Sequence, residues 1–171
     1  MSSKDQNLSI KADVKTFDAS KMKVGIVVAE WNEDITFSLR DGAIETLKAN
    51  GIIEGNLDIS YVPGAFELPL GARIMLQSKS YDGIICLGCV IKGDTKHDEY
   101  ICSATASGIM QLGLTSGKPV IFGVLTPNTL AQAEERAGGI HGNKGVEAAT
   151  TAMDMINLSK NLKSSKTGIG F

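Results

Sequence analysis

Aromatic residues and an excess of charge of one sign are both lacking in this sequence of 171 residues. Aromatic side chains make up 5 % of it and include one tryptophan. The core is therefore packed mainly with aliphatic residues, and the position of each aromatic ring is informative about function. The net charge is −2, which excludes the strongly basic composition typical of nucleic-acid and membrane-surface binders. We therefore expect neither nucleic acid nor a membrane as a partner.

Long hydrophobic runs are lacking as well. No apolar stretch approaches the roughly 20 residues of a membrane-spanning helix, and the polar N-terminal segment lacks the apolar block of a signal peptide. The three cysteines fit a reducing cytoplasm better than a disulfide framework, so we expect a cytoplasmic protein. Neither GxGxxG nor GxxxxGK[ST] occurs, and the familiar nucleotide-binding folds gain no support.

Segments with strand-like and helix-like periods alternate along the chain. Strands are predicted over residues 24–29, 57–62, 83–91 and 119–124, and helices over 35–47, 65–78, 97–116, 129–137 and 143–158. This cadence predicts an α/β fold in which a four-stranded parallel sheet lies between helices on both faces. We expect one domain over residues 22–158, between a polar arm over 1–21 and a flexible tail over 159–171.

Ligand sites in such sheets lie at the carboxyl ends of the strands. The first strand ends at Trp31, whose ring either packs on the core or stacks on a planar ligand. After the second strand, Phe66 and Glu67 begin a helix. There they serve as a staple and a dipole-compensating charge, or they face a ligand.

The third strand leads into Gly93 and Thr95, followed by His97 at the start of a helix. Backbone N–H groups at such a turn bind anions such as phosphate, and a histidine beside them can transfer protons near neutral pH. Two alternatives are a helix-capping loop with a surface histidine, and a metal site that also uses Asp94, Asp98 and Glu99. No second well-spaced histidine supports the metal, so none is expected.

Further along the chain, the cationic residues Arg136 and Lys144 flank a glycine-rich bend. They either compensate helix dipoles or bind an anion such as phosphate. The Cys86-Leu87-Gly88-Cys89 run has the spacing of redox motifs but reads as a strand, and positions three apart on a strand point to opposite faces. We interpret both thiols as core residues without redox function.

Five ordered blocks of this sequence resemble the 6,7-dimethyl-8-ribityllumazine synthase family. They are VPGAFELP over 62–69, GCVIKGDTKH over 88–97, PVIFGVLT over 119–126, ERAG over 135–138 and GNKG over 142–145. The resemblance implies a flavodoxin-like transferase of riboflavin biosynthesis. Its members condense 5-amino-6-(D-ribitylamino)uracil with 3,4-dihydroxy-2-butanone 4-phosphate and release phosphate and water, without a metal or an organic cofactor.

The resemblance also implies roles for individual residues. His97 matches the proton-transfer residue, Arg136 a catalytic phosphate-binding residue, and Trp31 the aromatic ring that stacks on the pyrimidine. The turn formed by Gly93, Asp94 and Thr95 matches the phosphate-binding segment. Further positions match substrate-binding residues: Asn32, Ala65, Phe66, Glu67, Cys89, Val90, Ile91, Phe122 and Lys144.

The resemblance further implies a homopentamer whose sites are shared between neighbouring subunits. Phe122, Arg136 and Lys144 match positions that an adjacent subunit contributes. The short bend from Gly138 to Lys144 is similar to that of members whose pentamers build an icosahedral sixty-subunit shell, so we expect such a shell, with riboflavin synthase as a further partner. Alternatives are a non-catalytic flavin-binding protein and a shell-forming protein of the same fold.

Three positions depart from the family pattern. Trp31 stands where many members have phenylalanine, and its wider ring leads us to expect detectable flavin binding. Asp98 follows His97 where phenylalanine is frequent, which removes an apolar wall. Ile140 replaces a lysine that some members carry near the phosphate, which leaves Arg136 as the side-chain cation expected there.

Overall fold

The computed structural model describes residues 17–164. Its main sheet is parallel and contains β1 (Val24–Ala29), β2 (Leu57–Val62), β3 (Gly83–Cys89) and β4 (Val120–Leu125) in the order β2-β1-β3-β4. The helices are α1 (Glu33–Ala49), α2 (Leu68–Ser78), α3 (His97–Ser116), α4 (Leu130–Glu134) and α5 (Lys144–Ser164). Short 3₁₀ turns lie at Glu54–Asn56 and Ala65–Glu67. A small antiparallel ribbon joins β5 (Ala137–Gly139) to β6 (Gly142–Asn143).

Alternate residues of the central strands face opposite helix layers. In β1, Ile26 and Val28 pack in a core with α1 and α5, whereas Val27 and Ala29 pack in a second core with α2 and α3. Both faces of the strand are therefore buried, which explains why β1 is apolar throughout rather than alternating. The predicted flavodoxin-like sandwich of three layers is confirmed.

The same alternation decides the meaning of the CxxC motif in β3. Cys86 lies in the core with α2 and α3, and Cys89 lies in the core with α1 and α5. Burial raises the pKa of each thiol to about 12, so both stay protonated at neutral pH. The interpretation of these residues as core cysteines on opposite faces is confirmed.

The order of the strands creates a crevice between β1 and β3. The chain passes from β1 to β2 on one side and then crosses back to β3 on the other side of β1. The helices that follow β1 and β3 therefore lie on different faces of the sheet. The loops that lead into these helices diverge above the ends of the two strands. Open α/β sheets bind ligands at this switch point.

One glycine allows α1 and α5 to pack closely. A Cβ atom at Gly145 would overlap the carbonyl group of Leu39 in α1. Beside it, the Asn143 side chain donates to the Ser38 carbonyl at 2.9 Å and accepts from the Gly145 amide at 2.7 Å. The start of α5 is therefore fixed against α1.

Several element boundaries differ from the prediction. β3 ends at Cys89 rather than at 91, although the Val90 amide still donates to the Leu125 carbonyl at 2.8 Å. The helix predicted over 129–137 is wrong beyond Glu134, because Ala137 pairs with Asn143 in the β5–β6 ribbon.

The ends of the described chain also extend beyond the predicted domain. Ala19, assigned to the polar arm, is buried in the core, and its amide donates to the Asn50 carbonyl at 2.8 Å. The last helix continues past 158 to Ser164. Residues 1–16 and 165–171, which contain the rest of the predicted arm and tail, lie outside the described residues. Within the described range, no helix is both long and apolar enough to cross a membrane.

Candidate active site

A cleft of about 850 Å³ opens where β1, β2 and β3 end. The cleft brings together most of the residues that the sequence singled out on these three strand ends. They are Trp31, Asn32, Ala65, Phe66, Glu67, Cys89, Val90, Ile91, Gly93, Thr95 and His97. Asp94 belongs to the same turn but is exposed and does not line the cleft.

Asn32 bridges the two sides of the crevice. Its backbone is left-handed, with φ of 60°, which lets the chain turn directly from β1 into α1. Its side-chain amide donates to the Cys89 carbonyl at the end of β3 at 2.9 Å. This bond fixes the distance between the ends of β1 and β3, and with it the width of the cleft floor.

Trp31 extends from this bridge to the mouth of the cleft. Its amide donates to the Pro63 carbonyl at 3.1 Å, but the residue remains 73 % exposed. The alternative in which the ring packs on the core is therefore wrong. An exposed flat ring beside an apolar cleft is suited to stack on a planar ligand.

Phe66 and Glu67 approach the cleft from the 3₁₀ turn after β2. The buried Thr105 hydroxyl of α3 donates to the Ala65 carbonyl at 3.1 Å and holds this turn in place. Phe66 is 56 % exposed, which argues against a buried staple. The Glu67 side chain makes no capping hydrogen bond to α2, and the residue lines the cleft.

The turn from Gly93 to His97 forms one wall of the cleft, through Gly93, Thr95 and His97. The backbone of Gly93 is outside the left-handed region, and a Cβ atom there would meet open space. The His97 amide donates to the Thr95 hydroxyl at 3.4 Å at the start of α3. Since first-turn amides lack partners within a helix, this end of α3 is suited to bind an anion.

The two predicted cations lie apart from the cleft among the described residues. The Arg136 guanidinium donates from Nη1 to the Gln132 carbonyl at 2.9 Å and lies 3.5 Å from a carboxylate oxygen of Glu135. The Lys144 ammonium lies 2.8 Å from both carboxylate oxygens of the buried Glu147. Within one chain, these charges are therefore separated from His97 and Trp31.

Phe122 also lies outside the cleft, on a second groove of about 620 Å³. This Phe122 groove is formed by β4 and the facing sides of α3 and α5. Its exposed apolar side chains are Met110, Leu114, Phe122, Met155, Leu158 and Leu162.

The sequence did not reveal the residues that support the site. Thr105 is a helix-interior threonine without a sequence signal, because its partner is a carbonyl group 40 residues away. Glu147 was detectable, since a glutamate three residues after Lys144 on one helix is a neighbour of the lysine. Glu135 and His141, which lie close together beside Arg136, were not assigned a role either.

The alternative of a metal site was tested against the geometry. Over residues 17–164, no three His, Cys, Asp or Glu side chains converge closely enough to hold a metal ion. Cys89 lines the cleft, but burial, with a smaller contribution from Cys102, raises its pKa to about 12. Its thiol is therefore poorly suited to act as a nucleophile.

The strand order, the two helix layers and the cleft at the switch point define a flavodoxin-like α/β protein with an open cleft at the strand ends. Residues 21–160 match the family model for 6,7-dimethyl-8-ribityllumazine synthase. The chain belongs to this family.

Relatives of this name are similar over most of their length. The protein from Cytophaga hutchinsonii is 51 % identical over 156 residues, which cover 91 % of this chain and 98 % of the relative. The protein from Parabacteroides distasonis is 49 % identical over 154 residues, or 90 % and 96 % of the two chains. The protein from Bacteroides fragilis is 53 % identical over 136 residues, or 80 % and 95 %.

Proposed function

We propose that this protein is a transferase that makes 6,7-dimethyl-8-ribityllumazine for riboflavin biosynthesis. The substrates are 5-amino-6-(D-ribitylamino)uracil and 3,4-dihydroxy-2-butanone 4-phosphate, and phosphate and water are released. The observation that carries the proposal is the cleft that joins an exposed Trp31, the Gly93–Thr95 turn and His97. It provides a planar platform, an anion-binding backbone and a proton-transfer group in one place.

The first steps of the reaction need binding and proton transfer. Trp31 stacks on the pyrimidine, Val90 and Ile91 line the edge of its ring, and Phe66 and Glu67 contact the ribityl chain. The amine of the uracil attacks the ketone carbonyl carbon, and loss of water gives an imine. His97 accepts and returns the protons of this step, as a histidine does near neutral pH.

The later steps need stabilisation of developing negative charge. A proton leaves the carbon skeleton, the C–O bond to phosphate breaks, and the bonding electrons leave with the phosphate. Backbone amides near Gly93 and Thr95 together with the Arg136 guanidinium compensate that charge. The remaining amine then closes the second ring with loss of water. Holding the two substrates together supplies a further part of the acceleration.

Assembly completes the site in this proposal. Arg136, Lys144 and Phe122 come from a neighbouring subunit of a homopentamer, with Lys144 on the pyrimidine carbonyl. The exposed Phe122 groove supports such an interface, because contiguous apolar surface of this kind marks a contact with another molecule. Further assembly into an icosahedral sixty-subunit shell, association with riboflavin synthase and a cytoplasmic location are parts of the same proposal.

The test mixes purified protein with both substrates and follows lumazine absorbance. Wild-type protein is expected to turn over, His97→Ala to be about a hundredfold slower, and Arg136→Ala about a thousandfold slower. Arg73→Ala, which changes an arginine of α2 outside the cleft, is the matched control and keeps wild-type turnover. A wild-type protein that forms no lumazine contradicts the enzyme and supports a non-catalytic flavin-binding or shell protein.

A further inference from the structure

A carboxylate lies between two basic side chains next to the proposed phosphate site. An Oε2 atom of Glu135 is 3.5 Å from Arg136 Nη1 and 3.7 Å from His141 Nε2. All three side chains are partly buried, with exposed fractions of 34 % for Arg136, 39 % for Glu135 and 31 % for His141. Charges in such a setting interact more strongly than on an open surface.

The backbone holds this cluster together. The His141 amide donates to the Glu135 carbonyl at 2.9 Å, which folds the β5–β6 ribbon back onto the end of α4. The Lys144 amide donates to the Arg136 carbonyl at 2.9 Å and closes the base of the ribbon. The backbone positions of Glu135, Arg136 and His141 are therefore held close together by the ribbon.

Arg136 is held by two oxygen atoms on one side of its guanidinium. Nη1 donates to the Gln132 carbonyl and lies near Glu135, while a guanidinium has five N–H donors in total. The Glu135 carboxylate competes with a phosphate group for the positive charge of Arg136. A second cation that pairs with the Glu135 carboxylate, or loss of its negative charge, strengthens the attraction of Arg136 for an anion.

We infer that Glu135 and His141 are positioning residues that set the affinity of Arg136 for an anion. When the His141 imidazole is protonated, it pairs with Glu135 and adds a positive charge beside Arg136. When it is neutral, Glu135 pairs with Arg136 and weakens the anion site. This inference rests on the proposed function for its ligand, the phosphate group of the ketone substrate.

The helices packed against the β5–β6 ribbon carry further charged groups. They are Glu134, Glu135 and Arg136 at and after the end of α4, Asp34, Arg40 and Asp41 on α1, and Lys144 and Glu147 on α5. Asp41 is paired with Arg40 at 2.7 Å, and Glu147 with Lys144 at 2.8 Å. The Glu135 carboxylate lies within ion-pair distance of the imidazole, so a proton on His141 acts directly on this carboxylate.

Sulfate binding to the assembled protein tests the inference without turnover. Sulfate keeps two negative charges between pH 6 and 8, so calorimetric titration reports changes in the protein alone. We expect wild-type protein to bind sulfate about tenfold more tightly at pH 6 than at pH 8, because a proton on His141 adds a positive charge beside Arg136. His141→Gln is expected to remove most of that change, because glutamine carries no charge at either pH.

The neighbouring carboxylates provide the matched pair of variants. Glu135→Gln should bind sulfate at pH 8 about as tightly as wild-type protein does at pH 6, whereas Glu134→Gln should follow the wild-type curve. With substrates, His141→Gln should raise KM for the phosphorylated ketone at pH 6 more than it lowers kcat. Circular dichroism and light scattering check that each variant folds and assembles.

Three results overturn the inference. They are a wild-type pH profile in His141→Gln, weaker sulfate binding in Glu135→Gln at every pH, and no sulfate binding by wild-type protein at either pH. The proposed function fails separately, through absence of lumazine formation by wild-type protein. Turnover together with unaltered sulfate binding in the two variants therefore rejects the positioning roles and keeps the enzyme.

Discussion

At the scale of single residues, the cleft is defined by side chains that the fold leaves exposed although they are apolar. Trp31 and Phe66 are 73 % and 56 % exposed at its mouth, in a chain that has few aromatic residues. Exposure of large rings is unfavourable unless a ligand or another chain covers them. Their placement supports recognition of a planar heterocycle between them and the Gly93–His97 wall.

The single tryptophan makes this stacking measurable. Because Trp31 is the chain's one tryptophan and lines the cleft, we expect riboflavin to quench the protein's tryptophan fluorescence in a saturable way. Phe66→Leu should weaken the apparent affinity by removing the neighbouring ring. Free N-acetyltryptophanamide controls for light absorption by riboflavin, and quenching no greater than this control contradicts the stacking role.

Tyr81 gives a prediction for alkaline pH. Its hydroxyl donates to Asp58 at 2.8 Å, and burial, together with this carboxylate, raises the pKa of Tyr81 from 10.0 to about 12. The folded state therefore retains the Tyr81 hydroxyl proton to a higher pH than the unfolded state does. The stabilisation that protonated Tyr81 contributes to the folded state is complete below about pH 10 and is lost as pH rises towards 12.

Tyrosinate absorbance checks this order of ionisation. The chain has three tyrosines, and we expect one of them to ionise late, near pH 12. Tyr81→Phe should remove that late step and leave the earlier ones. A wild-type protein in which all the tyrosines ionise together, while circular dichroism still shows it folded, contradicts the assignment.

Residues on the strand ends were predictable from the sequence, and their supporting partners were not. Trp31 and His97 stand out because each follows an apolar strand and is rare in the chain. Thr105 and Asn32 act on carbonyl groups 40 and 57 residues away, and no local pattern encodes such a distance. Their roles appear only once the sheet brings the strand ends together.

At the scale of elements, close packing of α1 on α5 places the second half of the site. Lys144 is the first residue of α5, and the next residue, Gly145, touches the Leu39 carbonyl of α1. The positions of Lys144 and of the β5–β6 ribbon therefore depend on this crossing. Ser38 of α1 adds a hydroxyl that donates to the Ala137 carbonyl of the ribbon.

Gly145→Ala tests the crossing. The added methyl group would overlap the Leu39 carbonyl, so we expect a loss of about 1–3 kcal/mol in the free energy of unfolding. Gly55→Ala is the matched control, since a Cβ atom there has no neighbour within 4 Å. Urea denaturation followed by circular dichroism measures both, and equal midpoints for the two variants contradict the close approach.

Elements with a clear hydrophobic period in the sequence were predicted well. Elements that depend on hydrogen bonds between short strands were not. The buried strand β1 and the long helix α1 follow from an apolar run and from amphipathic spacing respectively. The β5–β6 ribbon escaped prediction because its strands have three and two residues and consist largely of glycine. Its hydrogen bonds, rather than side-chain pattern, end α4 early.

At the scale of the whole molecule, residues 17–164 carry a cleft and an apolar groove, both open to solvent. One is the cleft, which holds His97 but neither Arg136 nor Lys144 among its lining residues. The other is the Phe122 groove, with a row of exposed apolar side chains on β4, α3 and α5. In the proposed pentamer, neighbouring subunits cover both surfaces and unite the two halves of the site. The sequence predicted this only through the family resemblance, because no pattern within one chain specifies a neighbour.

Mixing two inactive variants tests the shared site most directly. His97→Ala and Arg136→Ala chains are coexpressed in equal amounts, and the turnover of the mixed oligomers is compared with that of each parent. If each site takes His97 from one subunit and Arg136 from the next, random assembly leaves about one site in four with both residues, and turnover near a quarter of wild type is expected. Turnover no higher than the average of the two parents would contradict a site shared between subunits.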